Sequence, residues 1–252
     1  MSSDPVGPED VATQRPVAQD QSRVAPVWHT VVFVVVTLGL TGLQARQTPK
    51  LSTLNIPTRV PLYFAMIIFE LFLLAYVWLL GLRPAGKTLR DIIDGKWNSP
   101  RDVWVDAGIA IVFWMAVGGM LVAMRSLLGQ NKEGLEAMRI LIPRTSAELV
   151  FWVLLSVTAG FCEELIFRGY LQRQFLALTR NDAFAVLLQS LVFGAAHLYQ
   201  GWKGALTITI YGGFFGVLAA WRKSLRPGMI QHAAQDSFSG ILGSIAIRHH
   251  YW

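Results

Sequence analysis

Apolar residues run through this chain in long blocks, without the period-two alternation of strands or the narrow stripe of a surface helix. The plainest blocks are residues 27–45, 60–82 and 103–124, each close to the roughly 20 residues that cross a hydrocarbon core about 30 Å thick as a helix. Four more follow at 149–168, 183–197, 204–221 and 229–247, carrying glycines and polar residues that the first three mostly lack. The pattern predicts an all-α chain, a multi-pass transmembrane helical bundle with about seven spans.

Between the blocks the chain is polar and short. Residues 1–25 mix prolines with charges of both signs and hold no apolar core, the composition of a disordered tail rather than of a cleaved signal peptide. The connections at 46–59, 83–102 and 125–148 are too short for a second soluble domain. Three segments result: the tail at 1–25, transmembrane helices and loops at 26–148, and a more polar membrane core at 149–252. Composition agrees, with 53% hydrophobic and 15% charged residues and a mean hydropathy of +0.43, well away from the soluble average.

Charge adds orientation. The 22 Lys and Arg outnumber the 16 Asp and Glu, giving a pI near 9.7, but they are scattered among loops instead of forming one stripe, so they set topology and do not point to a nucleic-acid partner. Arg83, Lys87, Arg90, Lys96, Arg101, Arg222, Lys223 and Arg226 fall on the side that holds the tail. Arg46, Lys50, Arg59, Lys132, Arg139 and Arg144 fall opposite, and the balance puts the tail side in the cytoplasm. The single cysteine, Cys162, excludes an internal disulfide and a cysteine-based zinc site, and reads as a small packing residue.

The candidate chemistry starts at GFCEELIFRGYLQ, residues 160–172, where two adjacent carboxylates and an arginine interrupt an apolar run. Residues four apart share a helix face, so Glu164 and Arg168 can pair while Glu163 points about 100° away and stays free. An intramembrane carboxylate is costly, by roughly 2.5–3.5 kcal/mol on insertion scales, and is a functional candidate by default. Glu70, midway along the second block, is a further such carboxylate, read either as lining a cavity or as pairing with a polar neighbour. Two later stretches offer partners: FGAAHLYQG with Phe193 and His197, and QHAAQDSFSG with His232 and Asp236 four apart. If a helix hairpin turns near Asn181, Glu163 and His197 stand 18 and 16 residues from it, about 27 and 24 Å along their helices at 1.5 Å per residue, and so at one level. The polar stretch 169–182 is expected to project from the membrane, which sets that level a little below the surface. A carboxylate with imidazoles in a partly dry cavity can activate water, the histidines orienting it or holding a metal, and the chemistry suggested is hydrolysis. The rival reading is a non-catalytic membrane binding protein or transporter that uses the same charges to hold a ligand or proton.

The ordered motifs E-E-x-x-x-R, F-x-x-x-H and H-x-x-x-N/D resemble those of the CAAX prenyl-protease and bacteriocin-processing (CPBP, or Abi) family of intramembrane proteases. They stand here as Glu163, Glu164 and Arg168, then Phe193 and His197, then His232 and Asp236. The resemblance implies an endopeptidase core at 149–252 that cuts near the membrane surface, acting on a prenylated or otherwise membrane-held peptide or protein, in a bacterial cytoplasmic membrane with the site facing the cytoplasm. It implies that Glu163 activates the water, that His197 positions it or binds metal, and that His232 with residue 236 stabilises the oxyanion or completes a metal shell. It leaves open whether zinc takes part, with His197, His232 and Glu163 or Asp236 as ligands, or glutamate acts without it. CAAX-cleaving members carry Asn at the last position. Asp236 stands there in this chain, and because an ionised Asp cannot donate, it is expected to orient His232 or ligate a cation.

Overall fold

The computed structural model describes residues 23–51 and 56–249, so most of the expected tail lies outside the described residues. Helices follow one another in the order α1 (Val27–Leu51), α2 (Val60–Tyr76), α3 (Leu89–Ile93), α4 (Pro100–Leu128), α5 (Lys132–Leu141), α6 (Ser146–Glu163), α7 (Arg173–Thr179), α8 (Asp182–Ala195), α9 (Gly201–Arg222) and α10 (Arg226–Arg248). Val77–Leu82 prolongs α2 as a π-helix, Glu164–Gln172 joins α6 to α7 in the same form, and a single 3-10 turn, Leu198–Gln200, precedes α9. Each of the seven apolar blocks falls on a helix. Five helical runs have the length and hydropathy of a span: Val27–Gln47, Val60–Leu82, Pro100–Leu128, Ser146–Thr179 and Leu198–Arg222. α8 has only 14 residues, and α10 is too polar to count with the five.

Local sequence fixes the ends of these helices. Thr88 with Asp91, Ser99 with Asp102 and Thr145 with Glu148 form reciprocal capping boxes that start α3, α4 and α6. At the first of them, hydrogen bonds from the Thr88 hydroxyl and N–H hold the Asp91 carboxyl below the usual carboxylate range. Asn181 caps α8 by accepting from the Phe184 N–H, directly after Arg180 closes α7 at φ 53°. The hairpin that the spacing predicted therefore turns where it was expected.

The exposed faces are apolar. Phe72, Trp104, Val122 and Leu127 each leave 65% or more of their surface uncovered, which in water would be an aggregation surface and in a bilayer is the lipid contact. Burial separates two layers of the bundle. Only 22% of the α1, α2 and α4 windows is buried, against 44% for Ser146–Thr179 and 39% for Leu198–Arg222. The more polar half of the sequence is thus the centre, and the uniformly apolar half wraps it. α8 packs on α9, α10 on α6, and α2 on α6. Glycine permits close backbone approach between them: a Cβ on Gly160 of α6 would stand 2.7 Å from the Ala233 backbone nitrogen of α10.

Two details differ from the sequence reading. Val24 and Ala25 are buried, their N–H groups donating to Gln174 Oε1 at 3.0 and 3.2 Å, so the packed unit begins before residue 26. The stretch that was to project from the membrane is covered at its start: Gly169, Tyr170, Leu171 and Gln172 are all buried. α3 lies over them, held by Arg173 guanidinium hydrogen bonds to the carbonyls of Asp91 and Ile92 at 3.2 and 2.8 Å.

Gly160→Ala should lower the thermal midpoint of the purified protein, by an amount equivalent to about 1–3 kcal/mol of overpacking. Gly118→Ala, where an added Cβ meets nothing within 4 Å, should leave the midpoint in place. Equal midpoints for the two variants would refute the tight α6–α10 contact.

Candidate active site

Glu164 and Arg168 turn inward from the π-helical segment. Arg168 Nη1 donates to Glu164 Oε1 at 2.9 Å, with the two side chains no more than 1% exposed. The guanidinium carbon lies 4.4 Å from the centre of the Phe193 ring and 4.9 Å from that of Phe215, and Nη2 donates to the Gly212 carbonyl at 3.3 Å. This explains why an aromatic residue belongs to the second motif: Phe193 offers its π face to a cation that water cannot reach.

His232 enters from α10 and completes the cluster. Its Nδ1 is 3.1 Å from Glu164 Oε1. A carboxylate held by Arg168 can only accept, so Nδ1 carries the proton and the second ring nitrogen is turned toward the cavity side. Nε2 stands 3.7 Å from Glu163 Oε2 and 3.7 Å from Asp236 Oδ2, gaps too long for a direct hydrogen bond. The orienting partner of His232 is therefore Glu164, a role the sequence reading offered to Asp236. Asp236 instead faces Nε2, with 38% of its side chain exposed.

His197 sits just past the end of α8, in the turn before the 3-10 segment, rather than within a helix. Its Nδ1–H donates to the Phe193 carbonyl at 2.9 Å. A carbonyl cannot donate, which leaves Nε2 as the free nitrogen in the neutral ring. The Phe193 ring contacts both imidazoles, its centroid 4.9 Å from that of His197 and 6.4 Å from that of His232.

Glu163 and His197 line one cavity of about 310 Å³, together with Glu70, Phe69, Phe167 and Tyr199. Among the described residues no hydrogen bond ties down the Glu163 carboxylate, which remains 15% exposed. The cavity runs from Glu163 at mid-bundle to Gln47 and Ile140, at the end where α1 finishes and α2 begins.

All six sequence-predicted residues come to this region: Glu163, Glu164, His232 and Asp236 in one cluster with Arg168, and His197 on the wall of the cavity that Glu163 also lines. Glu70, left undecided by the sequence, lies on the cavity wall. As the side chains stand, no three of His, Cys, Asp and Glu gather closely enough among the described residues to hold a metal ion. The arrangement does not fit the three-ligand shell of a catalytic zinc.

Removing one partner of the buried pair strands the other charge. Arg168→Ala and Glu164→Gln should each destabilise the protein by about 3–5 kcal/mol, seen as reduced yield and a lower thermal midpoint. Glu163→Gln should keep the wild-type midpoint. Equal loss in all three variants would show that the three charges form one structural unit with no free member.

Residues 145–238 match the model of one family, described as type II CAAX prenyl endopeptidase Rce1-like. The match opens at the N-cap of α6 and ends two residues beyond Asp236, so it contains the whole cluster and leaves α1 to α5 outside. No curated protein and no solved structure was found to match the chain. The segment that builds this site is thus similar to the type II CAAX prenyl endopeptidase Rce1-like family, the resemblance that the three spaced motifs indicated.

Proposed function

We propose that the chain is an intramembrane endopeptidase that hydrolyses a peptide bond near the membrane surface, in a CAAX-like, prenylated or otherwise membrane-held peptide. The observation that carries this reading is the division of labour between adjacent carboxylates. Glu164 is spent on Arg168 and His232, while Glu163 is unbonded, partly exposed and aimed at a cavity large enough for a peptide segment.

The chemistry follows from that placement. Glu163 takes a proton from a water as its oxygen attacks the scissile carbonyl, and returns the proton to the leaving amine when the C–N bond breaks. His232, fixed by Glu164 at Nδ1, places Nε2 3.7 Å from Glu163 Oε2, where a water donating to both holds the carboxylate in position. His197 presents Nε2 as an acceptor able to hold the water for attack. The apolar wall of Phe69, Phe167 and Leu73 keeps bulk water from competing.

Cleavage of a prenylated peptide by the purified protein tests the proposal. Glu163→Gln should lower kcat by about 10²–10⁴-fold with its thermal midpoint unchanged, and near-wild-type turnover would overturn the assignment. The same assay with and without chelator separates a metal-dependent enzyme, inactivated and restored by added zinc, from one that works through glutamate alone.

Asp236 supplies a second test, since CAAX-cleaving members resembling this chain carry Asn there. Its carboxylate faces His232 Nε2, and removing that charge in Asp236→Asn should reduce kcat/KM and shift its pH profile. An unchanged or improved Asp236→Asn enzyme would reject the charge role and make residue 236 an oxyanion donor.

A further inference from the structure

The cluster described so far has a base, a water-holding imidazole and an ion pair, but at residue 236, where an Asn could donate to the oxyanion, it carries Asp, and a donor is missing. Hydrolysis of a peptide bond puts negative charge on the carbonyl oxygen, and a dry site must meet it with a hydrogen-bond donor. Asp236 as a carboxylate only accepts. The Nδ1–H groups of His197 and His232 are already given to Phe193 O and Glu164.

Glu70 has what is missing. It projects from the middle of α2 into the same cavity as Glu163 and His197, and its Oε2 is buried with no hydrogen-bond partner among the described residues. Among the described residues no Lys or Arg lines that cavity, so no permanent cation there compensates a second negative charge beside Glu163. An unpaired carboxylate in an apolar wall is the most expensive form of the side chain, and a neutral carboxyl group is the affordable one. A neutral carboxyl owns an O–H, and in this cavity the acceptor that completes it is a substrate.

We propose that Glu70 is a catalytic residue of this site: a neutral carboxyl on α2 that donates its O–H to the scissile carbonyl oxygen while Glu163, which lines the same cavity from α6, takes the proton from the attacking water. The inference rests on the hydrolase reading above. As the water oxygen bonds to the carbonyl carbon, the C=O π pair moves onto oxygen and is held by the Glu70 O–H. When that pair returns, the C–N bond breaks and the amine takes the proton from Glu163. Glu70 ends as it began, with its proton, and the products are one carboxyl and one amine. The groups facing Glu70 are Glu163 from α6, His197 from the turn after α8 and Tyr199 from the 3-10 segment, with His232 and Asp236 of α10 behind Glu163. Tyr199, Thr37 and Thr41 carry the other hydroxyls in the cavity; Thr41 donates to the Thr37 carbonyl at 2.9 Å, and the Tyr199 oxygen accepts from Gln200 Nε2 at 3.0 Å, so Tyr199 is the rival donor that the test includes. The matched family segment begins at residue 145, so Glu70 lies outside it and none of the three motifs points to it.

The experiment compares Glu70→Gln, Glu70→Leu and Tyr199→Phe on a peptide that wild type cleaves and Glu163→Gln does not. If wild type cleaves no peptide, the hydrolase reading fails with it. Once that control is met, the Glu70 variants judge this proposal alone. Glu70→Leu should lower kcat by about 10²–10³-fold with little change in KM, the loss expected for one oxyanion donor. Glu70→Gln keeps a donor and should fall by about tenfold only. Wild type should lose kcat at high pH as Glu70 ionises, and Glu70→Gln should lack that limb. Infrared difference spectra of wild type should contain the C=O stretch of a buried carboxylic acid, absent in Glu70→Gln. Wild-type kcat in Glu70→Leu, a Glu70→Gln as inactive as Glu70→Leu with a normal thermal midpoint, or a larger loss in Tyr199→Phe would each overturn the proposal. If Glu70→Leu does not fold, the pH limb and the infrared band decide it: their persistence in Glu70→Gln overturns it, and their disappearance supports it.

Discussion

The bonds between Arg168, Glu164 and His232 are the constraint on which the centre of this molecule depends. An arginine and a glutamate stripped of water are a liability unless every remaining hydrogen-bonding position is met. Here the surroundings meet most of them: Glu164 Oε1 also receives His232, Arg168 also reaches the Gly212 carbonyl, and two aromatic faces flank the guanidinium. One ion pair thereby joins the segment after α6 to α8 through Phe193, to α9 through Gly212 and Phe215, and to α10 through His232. The four elements around the cluster are tied at a single point.

The π-helical form of Glu164–Gln172 belongs to the same design. A wider helical turn is tolerated where side chains satisfy the groups it leaves over, and it commonly marks a functional segment. All nine residues of this one are buried, and its side chains do bond outward: Gln172 to Gly216 O at 2.9 Å and Tyr170 to Thr30 at 2.9 Å, with His29 Nδ1 2.8 Å from the same hydroxyl. The segment is thus fastened to α1 on one side and α9 on the other. Glu163, immediately before it, is left clear of those bonds.

Much of this could be read from the residues alone. The apolar blocks located every long helix because lipid demands unbroken backbone hydrogen bonding over about 20 residues. The i, i+4 spacing of Glu164 and Arg168 named their pair, and the turn at Asn181 was legible from an N-cap residue between two apolar runs. What the residues could not show depends on partners distant in the chain. Glu164 and His232 are 68 positions apart, and no local pattern says that Glu164, rather than the neighbouring Asp236, orients that ring. His197 reads as helical by periodicity and sits in a turn, because α8 stops at Ala195. Glu70 announces itself as a charge in an apolar block, but only the packing of α2 on α6 settles that it looks into the cavity.

The walls of that cavity have two owners. Along α1, Phe33 and Thr37 face inward while Val31 and Val35 are left 54% and 62% uncovered; along α2, Phe69 and Glu70 line the cavity while Phe64 and Phe72 stand 56% and 65% uncovered. These helices have protein on one side and lipid on the other, with little protein behind them to fix their position. A bilayer thinner or thicker than the helices fit makes them tilt, and tilt in either one changes the width of the chamber between Glu70 and Glu163. The solvent of this protein is in that sense a structural component of its site, and a change of detergent or acyl-chain length is a perturbation of the chamber as direct as a substitution in its wall.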